Sequence, residues 1–524
     1  MTRPPRRPLF SVVTPVYNPP VDVLAEMIAS VREQEFADWE LILVDDNSPN
    51  PQVRIVLRNA ARRDRRITVI ERPENGRIVV TSNDGLAAAT GEFVVLVDHD
   101  DLLTPDALQV MADAIAADPT ADYLYSDEDK LDAEGEFYDE FRKPDWSPER
   151  LRAHMYTGHL SVLRASLVEQ VGGFRAGYDG SQDHDLVLRV TELARSVVHV
   201  PEILYHWRVI PGSAAGDVDA KPYAWEAGRR AVADHLDRVG IAGTAEFGSH
   251  PGYYRVVRTH DPSTTVSVVI PTRGSDGLVW GRRRVYVLDA VRSVVESGGV
   301  DRVEIVVVHD LPTPQSVLDE LAEIAGDRLV LVPFSGPFNF SAKCNLGFLA
   351  STGDVVVMLN DDVEAISANW LADLVAPLAE PGVGLTGAHL LFTDSTVQHA
   401  GLIALKDHYE HVFMGGPDDY LGYFGALLVN RECSGLTAAC VALRREVYEE
   451  VGGFCEELPG SFNDVDFSFK IRSRGYRLVW LSEVRLFHFE SRTRDKTVQP
   501  WEHEFVIHRW ETPDVDPYLP AFTR

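Results

Sequence analysis

Long apolar runs are missing from this 524-residue chain. The longest, such as FVVLV (93–97) and DVVVML (354–359), have the length of a strand, well short of the ~20 residues that cross a bilayer. Cysteine is scarce: there are four, Cys344, Cys433, Cys440 and Cys455. None forms a CxxC pair and no histidine cluster stands at zinc-finger spacing, so buried free thiols in a reducing compartment are the expectation. Positive charge is in deficit, with 50 Lys and Arg against 80 Asp and Glu and a formal net charge of -30. That excludes a general nucleic-acid binder, whose surface must be basic, but a local arginine cluster could still hold a diphosphate. The start, MTRPPRRPLF, is basic and proline-rich, yet no apolar stretch follows it, so it does not read as a secretory signal. These absences together predict a soluble, cytoplasmic protein with no transmembrane segment, peripheral association at the inner face of the membrane being left open.

What is present is a repeat. LFSVVTPVYN (9–18) is echoed by TVSVVIPTRG (265–274), and WELILVDDNS (39–48) by VEIVVVHDLP (303–312). TSNDGLAAATGEFVVLVDHDD (81–101) is echoed by AKCNLGFLASTGDVVVMLNDD (342–362). VEQVGGFRAGYDGSQDHDLVLRV (168–190) and ILYHWR (203–208) return as YEEVGGFCEELPGSFNDVDFSFKI (448–471) and RLFHFE (485–490). The order is constant and the spacing similar, which indicates a duplicated domain.

Each copy opens with a short β-branched run and continues with a helical stretch, VDVLAEMIASVREQ in the first copy. A second run, LILVDD or EIVVVHD, precedes another helix and a third run, FVVLVD or VVVMLN. Strands alternating with helices predict an α/β fold with a mostly parallel central sheet. The lack of clean alternation within the strands fits a sheet buried on both faces. The predicted domains are 1–258 and 259–524, with the join after the helix at 225–240. The proline-rich tail after Arg494 reads as irregular.

Ligands of parallel α/β sheets bind outside the carboxyl ends of the strands. Asp45 and Asp46 end the second run, and Asp98, Asp100 and Asp101 the third. Carboxylates crowded in this way repel one another unless a cation joins them. Hard Mg²⁺ or Mn²⁺ carrying substrate phosphates is the usual partner. One aspartate alone could equally cap a helix; the cluster DHDD is more specific.

SVVTPVYN, LILVDDNS, DHD, YSDEDK (125–130), FRKPDWSP (141–148) and the QDHD block resemble glycosyltransferase family 2, and they do so along nearly the whole chain, twice. The resemblance implies two tandem GT-A domains, Rossmann-like nucleotide-diphospho-sugar transferase folds, and an inverting single displacement on a nucleotide-activated sugar. It implies that Pro15 and Tyr17 border the nucleobase, with Tyr17 stacked on it, and that Asp46 accepts a hydrogen bond from the base. Asp98 would approach the ribose or the metal, and Asp100 would bind the Mn²⁺ or Mg²⁺ that bridges the diphosphate. Asp183 would be the general base and His206 a further metal or diphosphate contact. In the second copy Pro271, Arg273, Asp310, Asn360, Asp362, Asp464 and His488 take the corresponding places. Arg273 stands where Tyr17 stands and removes the stacking aromatic, although a guanidinium plane can also stack. Asn360 is a weaker metal ligand than an aspartate.

The donor implied is a nucleotide-diphosphate sugar, uridine or deoxythymidine being favoured over guanosine. The acceptor implied is a saccharide or lipid-linked saccharide in cell-surface polysaccharide or glycan synthesis, and two active copies would let one chain add two sugars. Three alternatives stay open: one active domain beside a degenerate structural or saccharide-binding one, a sugar nucleotidyltransferase, and a scaffold. Gly172-Gly173 and Gly452-Gly453 follow helices and read as helix stops rather than phosphate loops. His184 and His199 read as structural. Trp146 and Trp207 suit a sugar groove or the core equally, and 127–129 reads as an acidic turn, facing either the acceptor or solvent.

Overall fold

The structure, a computed structural model, describes residues 7–209, 222–406, 408–489 and 498–520. Two compact units emerge, one comprising Met1–Trp146, Leu151–Gly240 and Thr244–Val256, the other Ser147–Arg150, Ile241–Gly243 and Val257–Arg524. The basic residues 1–6 lie outside the described residues.

The strands of the first unit's sheet are β1 (Phe10–Val16), β2 (Trp39–Asp45), β3 (Ile67–Glu71), β4 (Phe93–Leu96), β5 (Leu102–Leu103), β6 (Ala121–Leu131), β7 (Phe137–Phe141), β8 (Ser161–Arg164) and β9 (Ser196–Arg208). Their order is β3-β2-β1-β4-β8-β6-β9-β5, with β7 beside β6. The β3-β2-β1-β4 half is parallel, β8 is antiparallel to its neighbours, and β6 and β9 run parallel over a long register. The helices are α1 (Val21–Arg32), α2 (Pro51–Arg63), α3 (Arg77–Ala88), α4 (Ala107–Ala117), α5 (Pro148–Ala153), α6 (Ala165–Gln170), α7 (Gln182–Thr191) and α8 (Pro222–Val239). A hairpin, β10 (Gly243–Phe247) and β11 (Tyr254–Arg258), follows.

In the second unit β12 (Val266–Thr272) leads into the hairpin β13 (Asp276–Val279) and β14 (Arg282–Val285). The sheet continues with β15 (Val303–Asp310), β16 (Leu329–Phe334), β17 (Val355–Leu359), β18 (Val363–Ala365), β19 (Val383–Leu391) and β20 (Val397–His399). A second hairpin, β21 (Leu402–Leu405) and β22 (His408–His411), precedes β23 (Arg431–Glu432), β24 (Cys440–Arg444) and β25 (Arg477–His488). The main order, β16-β15-β12-β17-β24-β19-β25-β18, repeats that of the first sheet position by position. The helices are α9 (Tyr286–Ser297), α10 (Gln315–Ala325), α11 (Phe340–Ala350), α12 (Trp370–Val375), α13 (Arg445–Val451), α14 (Asn463–Arg472) and α15 (Pro500–Arg509). The last corrects the reading of an irregular tail: Pro500 sits at the start of a helix, where its missing N–H costs nothing.

The burial pattern explains the strands. Phe10, Val12 and Val16 of β1 enter one apolar cluster with Leu24, Met27, Ile28 and Val31 of α1, while Val13 enters another with Ile42, Val44 and Val94. Both faces are therefore covered, and every second residue serves a different core. In β12, Val266, Val268 and Ile270 face one core and Val269 the other. Each side chain so buried contributes roughly 1.5–3 kcal/mol.

The duplication extends to single hydrogen bonds. Ser11 Oγ donates to Glu40 Oε1 at 2.6 Å and accepts from Gly91 N at 2.8 Å; Ser267 Oγ donates to Glu304 Oε2 at 2.6 Å and accepts from Gly353 N at 2.8 Å. The glycine is required, because a Cβ would lie 2.8 Å from Ser11 N in one unit and 2.6 Å from Ser267 N in the other. Substituting Gly91→Ala or Gly353→Ala is expected to cost about 1–3 kcal/mol by overpacking, read as a lower denaturant midpoint; an unchanged midpoint for both would contradict the packing described.

Candidate active site

The acidic residues expected at the strand ends are there, but the fold sorts them. Asp45 ends β2 fully buried, ion-paired with Arg54 at 2.8 Å and accepting from Ser48 N at 3.0 Å. Asp46 is also buried; Gly76 N and Arg77 N donate to its two oxygens at 2.7 and 2.9 Å, and Arg72 lies 3.1 Å away. It thus clamps the start of α3 beside β1. Among the described residues no main-chain amide donates to its counterpart Asp310; Lys343 pairs with it at 2.5 Å and Arg273 at 3.5 Å. Tyr17 and Arg273, the exchanged pair, are both half exposed at equivalent strand ends, two residues beyond Pro15 and Pro271.

After β4 the chain exposes Asp98, half-buries Asp100 and buries Asp101. Asp101 accepts from Tyr205 Oη and from Arg208 N, the latter at 2.8 Å. Burial first, and the charge of Asp98 second, hold its carboxyl up at about 8; burial also raises Asp100. In the second unit burial and the neighbouring Asp362 raise Asp361 to about 7, with Thr272 Oγ1 donating to it at 2.6 Å. Strand register refines the alignment of the copies. Leu102 pairs with His206 whereas Val363 pairs with His488, so relative to the histidine the buried Asp362 sits where Asp101 does.

The histidines are held at one nitrogen. His206 Nδ1 meets Asp129 Oδ1 at 2.5 Å, and His488 Nδ1 meets Gln398 Oε1 at 2.6 Å. Such a partner fixes the tautomer and leaves Nε2 free for a cation. His488 Nε2 lies 3.1 Å from Asp362 Oδ1 and 3.2 Å from Asn360 Nδ2. Asn360 Oδ1 is buried without a hydrogen-bond partner. This oxygen-rich set with one imidazole nitrogen fits a hard divalent cation. Among the described residues no three His, Cys, Asp or Glu side chains are grouped as a complete metal cage.

Asp183 and Asp464 occupy the first turn of α7 and α14. Each helix carries a second aspartate two residues on, and the two face opposite ways because two residues turn a helix by roughly 200°. Asp185 is buried between Arg175 and Arg189, and Asp466 is buried beside Lys470 and Arg509. The first aspartate points the other way: Asp464 lines the cavity of the second unit, and Asp183 accepts from Gln182 Nε2 at 2.7 Å. Burial, followed by the charge of Asp98, lifts Asp183 to about 6, and the cationic His159 opposes both. Upstream, Asn83 clasps Phe174 by N–H and C=O, both at 2.9 Å, and Asn345 clasps Phe454 at 3.0 Å. These clasps sit next to Gly173 and Gly453, whose φ of 66° confirms the helix-stop reading.

In the second unit the expected residues share one cavity of about 360 Å³. Pro271, Arg273, Asn360, Asp362, Asp464 and His488 line it, and Asp310 reaches it through Lys343. Sequence reasoning missed Lys343, Gln398 and His411 in its wall. The Gln-His pair in VQHAG was a visible signal, but it has no echo in the first copy.

In the first unit, reasoning from sequence missed His159: burial opposes its protonation, but Glu128, with Oε2 3.4 Å from its Nδ1, and the charges of Asp98 and Asp101 raise it to about 9. Asp127, Glu128 and Asp129 do not form the anticipated turn: they are buried in β6, paired with His199, Lys143 and His206. His199 bridges Asp127 and Asp145, and burial lowers His184 to about 4, a neutral ring bonded to Leu151 O; both are structural. Trp207 packs beside His159, and Trp146 is half-buried. The cysteines are free thiols, three of them buried. Among the described residues no helix is long and apolar enough to cross a membrane.

The family described as glycosyl transferase family 2 matches residues 11–172 and again 267–452. A Sinorhizobium fredii protein, "Uncharacterized protein y4gI", is 40% identical over 97% of this chain and 56% of its own length. "O-antigen biosynthesis protein RfbC" of Myxococcus xanthus is 36% identical over 98% of this chain and 40% of its own. "Chondroitin synthase" of Escherichia coli is 26% identical over 45% of this chain and 34% of its own. The chain therefore spans about half or less of the length of these relatives.

Because the folded Asp183 holds its proton up to about 6 against an ordinary 3.8, its carboxylate form costs stability. The contribution is intact below pH 3.8 and is lost as pH rises to about 6. Asp183→Asn, without added metal, is therefore expected to gain in melting temperature over the wild type across that window and to keep the gain above it. A flat difference from pH 4 to 7 would contradict the assignment.

Proposed function

Since the chain belongs to glycosyl transferase family 2, we propose that each of its two domains, 1–258 and 259–524, is an inverting, metal-dependent glycosyltransferase. Each moves a sugar from a nucleotide diphosphate, uridine or deoxythymidine in preference, to a saccharide or lipid-linked saccharide in cell-surface polysaccharide synthesis. The observation that carries this is the cavity that Asn360, Asp362 and His488 line together with Asp464, Pro271 and Arg273.

Pro15 with Tyr17, and Pro271 with Arg273, border the nucleobase, near the carboxylates of Asp46 and Asp310. Asp98 and Asn360 lie at the ribose and diphosphate side. Asp100 with His206, and Asp362 with His488, are the residues that would hold Mn²⁺ or Mg²⁺. When bound, the ion supplies positive charge against the charge accumulating on the departing diphosphate. Asp129 and Gln398 keep the two histidines in the tautomer this requires.

Asp183 and Asp464 accept the acceptor hydroxyl's proton. The hydroxyl oxygen bonds to the anomeric carbon as the bond from that carbon to the diphosphate oxygen breaks. A carboxylate with a raised proton affinity is the stronger base, which suits Asp183. The environment that costs folding energy thus serves the reaction.

Asp183→Asn and Asp464→Asn are each expected to lower transfer by about 10²–10⁴-fold, each eliminating a different linkage, in assays with uridine- and deoxythymidine-diphosphate sugars and Mn²⁺. Equal loss of one and the same linkage would rule out independent sites. With Asp464→Asn in place, kcat/KM of the remaining activity should fall as pH drops below about 6, where Asp183 takes up a proton. Chelation with EDTA should abolish both transfers.

A further inference from the structure

The second domain carries a pair of histidines that the reaction above does not use. His399, at the end of β20, is buried, and its Nδ1 lies 2.8 Å from Nδ1 of His411, at the end of β22. The rings stand almost perpendicular, at 78°. Only one of the facing nitrogens can carry a hydrogen. Thr437 N donates to the other nitrogen of His399, Nε2, at 3.4 Å. His399 is therefore protonated at Nδ1 and donates, and His411 accepts at Nδ1 and carries its own hydrogen at Nε2. His411 lines the cavity with Asp464, and the Asp464 carboxylate is close enough to act on it electrostatically. Burial lowers the proton affinity of both rings, which keeps each neutral and preserves this arrangement.

We propose that His411 is an acceptor-binding residue of the second domain, a fixed N–H donor that holds a hydroxyl of the acceptor sugar beside Asp464, and that His399 is the residue that positions it. This rests on the reading of Asp464 as the base and specifies the acceptor: a saccharide with a second oxygen next to the attacked hydroxyl. The two aligned groups divide the work. Asp464 accepts the proton of the hydroxyl that attacks, and His411 Nε2–H donates to the neighbouring oxygen, which fixes the approach without any proton leaving the imidazole. Gln398 and His399, adjacent in β20, thus orient one histidine each: His488 on the metal side and His411 on the acceptor side.

The test uses the full chain with the first domain silenced by Asp183→Asn, uridine- and deoxythymidine-diphosphate sugars with Mn²⁺, and methyl hexopyranosides as acceptors. His411→Phe should raise the acceptor KM about tenfold or more, the value of one lost hydrogen bond in a dry site, while donor hydrolysis by water stays within about twofold. His411→Gln, whose amide restores an N–H near Nε2, should recover most of the loss. Equal damage by Phe and Gln, or hydrolysis falling in step with transfer, would show a merely structural role and overturn the proposal. Asp464→Asn run in parallel reports on the base separately: retained transfer there would defeat the base assignment, and the Phe and Gln comparison would still be read. Should none of these sugars be transferred, ¹⁵N–¹H spectra of the imidazoles decide. Nε2–H on His411 with Nδ1–H on His399 supports the donor role, and the reverse tautomers overturn it.

Discussion

Mutual repulsion of carboxylates is the constraint around which both domains are organised. Parallel strands end side by side, so the chain that leaves them brings Asp98, Asp100 and Asp101 into one small volume, and Asp361 with Asp362 into another. Burial first, and a neighbouring carboxylate second, favour the protonated form and raise Asp101 and Asp361. On the proposed function, a cation carrying phosphates would relieve the conflict. The strands that carry these ends, β1, β2 and β12, β15, are buried on both faces.

The two copies resolve the same conflict differently. In the first domain a cationic His159 stands near Asp98, Asp101 and Asp183. The register of β8 on β4 and of β24 on β17 puts Ala439 at the matching place in the second domain, where Asn360 replaces Asp98. One charge of each sign has gone. The end of the second strand changes as well: Asp46 accepts from two main-chain amides beside Arg72, whereas Asp310 is paired with Lys343 and Arg273.

Much of the frame was legible from residues alone. Runs such as FSVVTPV read as strands buried on both sides, and GGF after a helix as a stop, since positive φ is costly for other residues. The acidic stretch at 127–129 was not legible, because charge suggests solvent and only β9 and the 141–159 segment supply the partners that bury it. The helix at 500–509 was hidden by the prolines around it.

Sequence by itself determined the duplicated α/β frame, the family and the positions along the chain where acidic chemistry collects, because periodicity and motif order are local properties. Only the tertiary structure decided which member of each Asp pair on α7 and α14 is buried in ion pairs, which nitrogen of each histidine is held, and that Gln398 and His411 line the second unit's cavity. Those are matters of direction and of which neighbours the folded chain brings to each polar atom, fixed when the sheet closes.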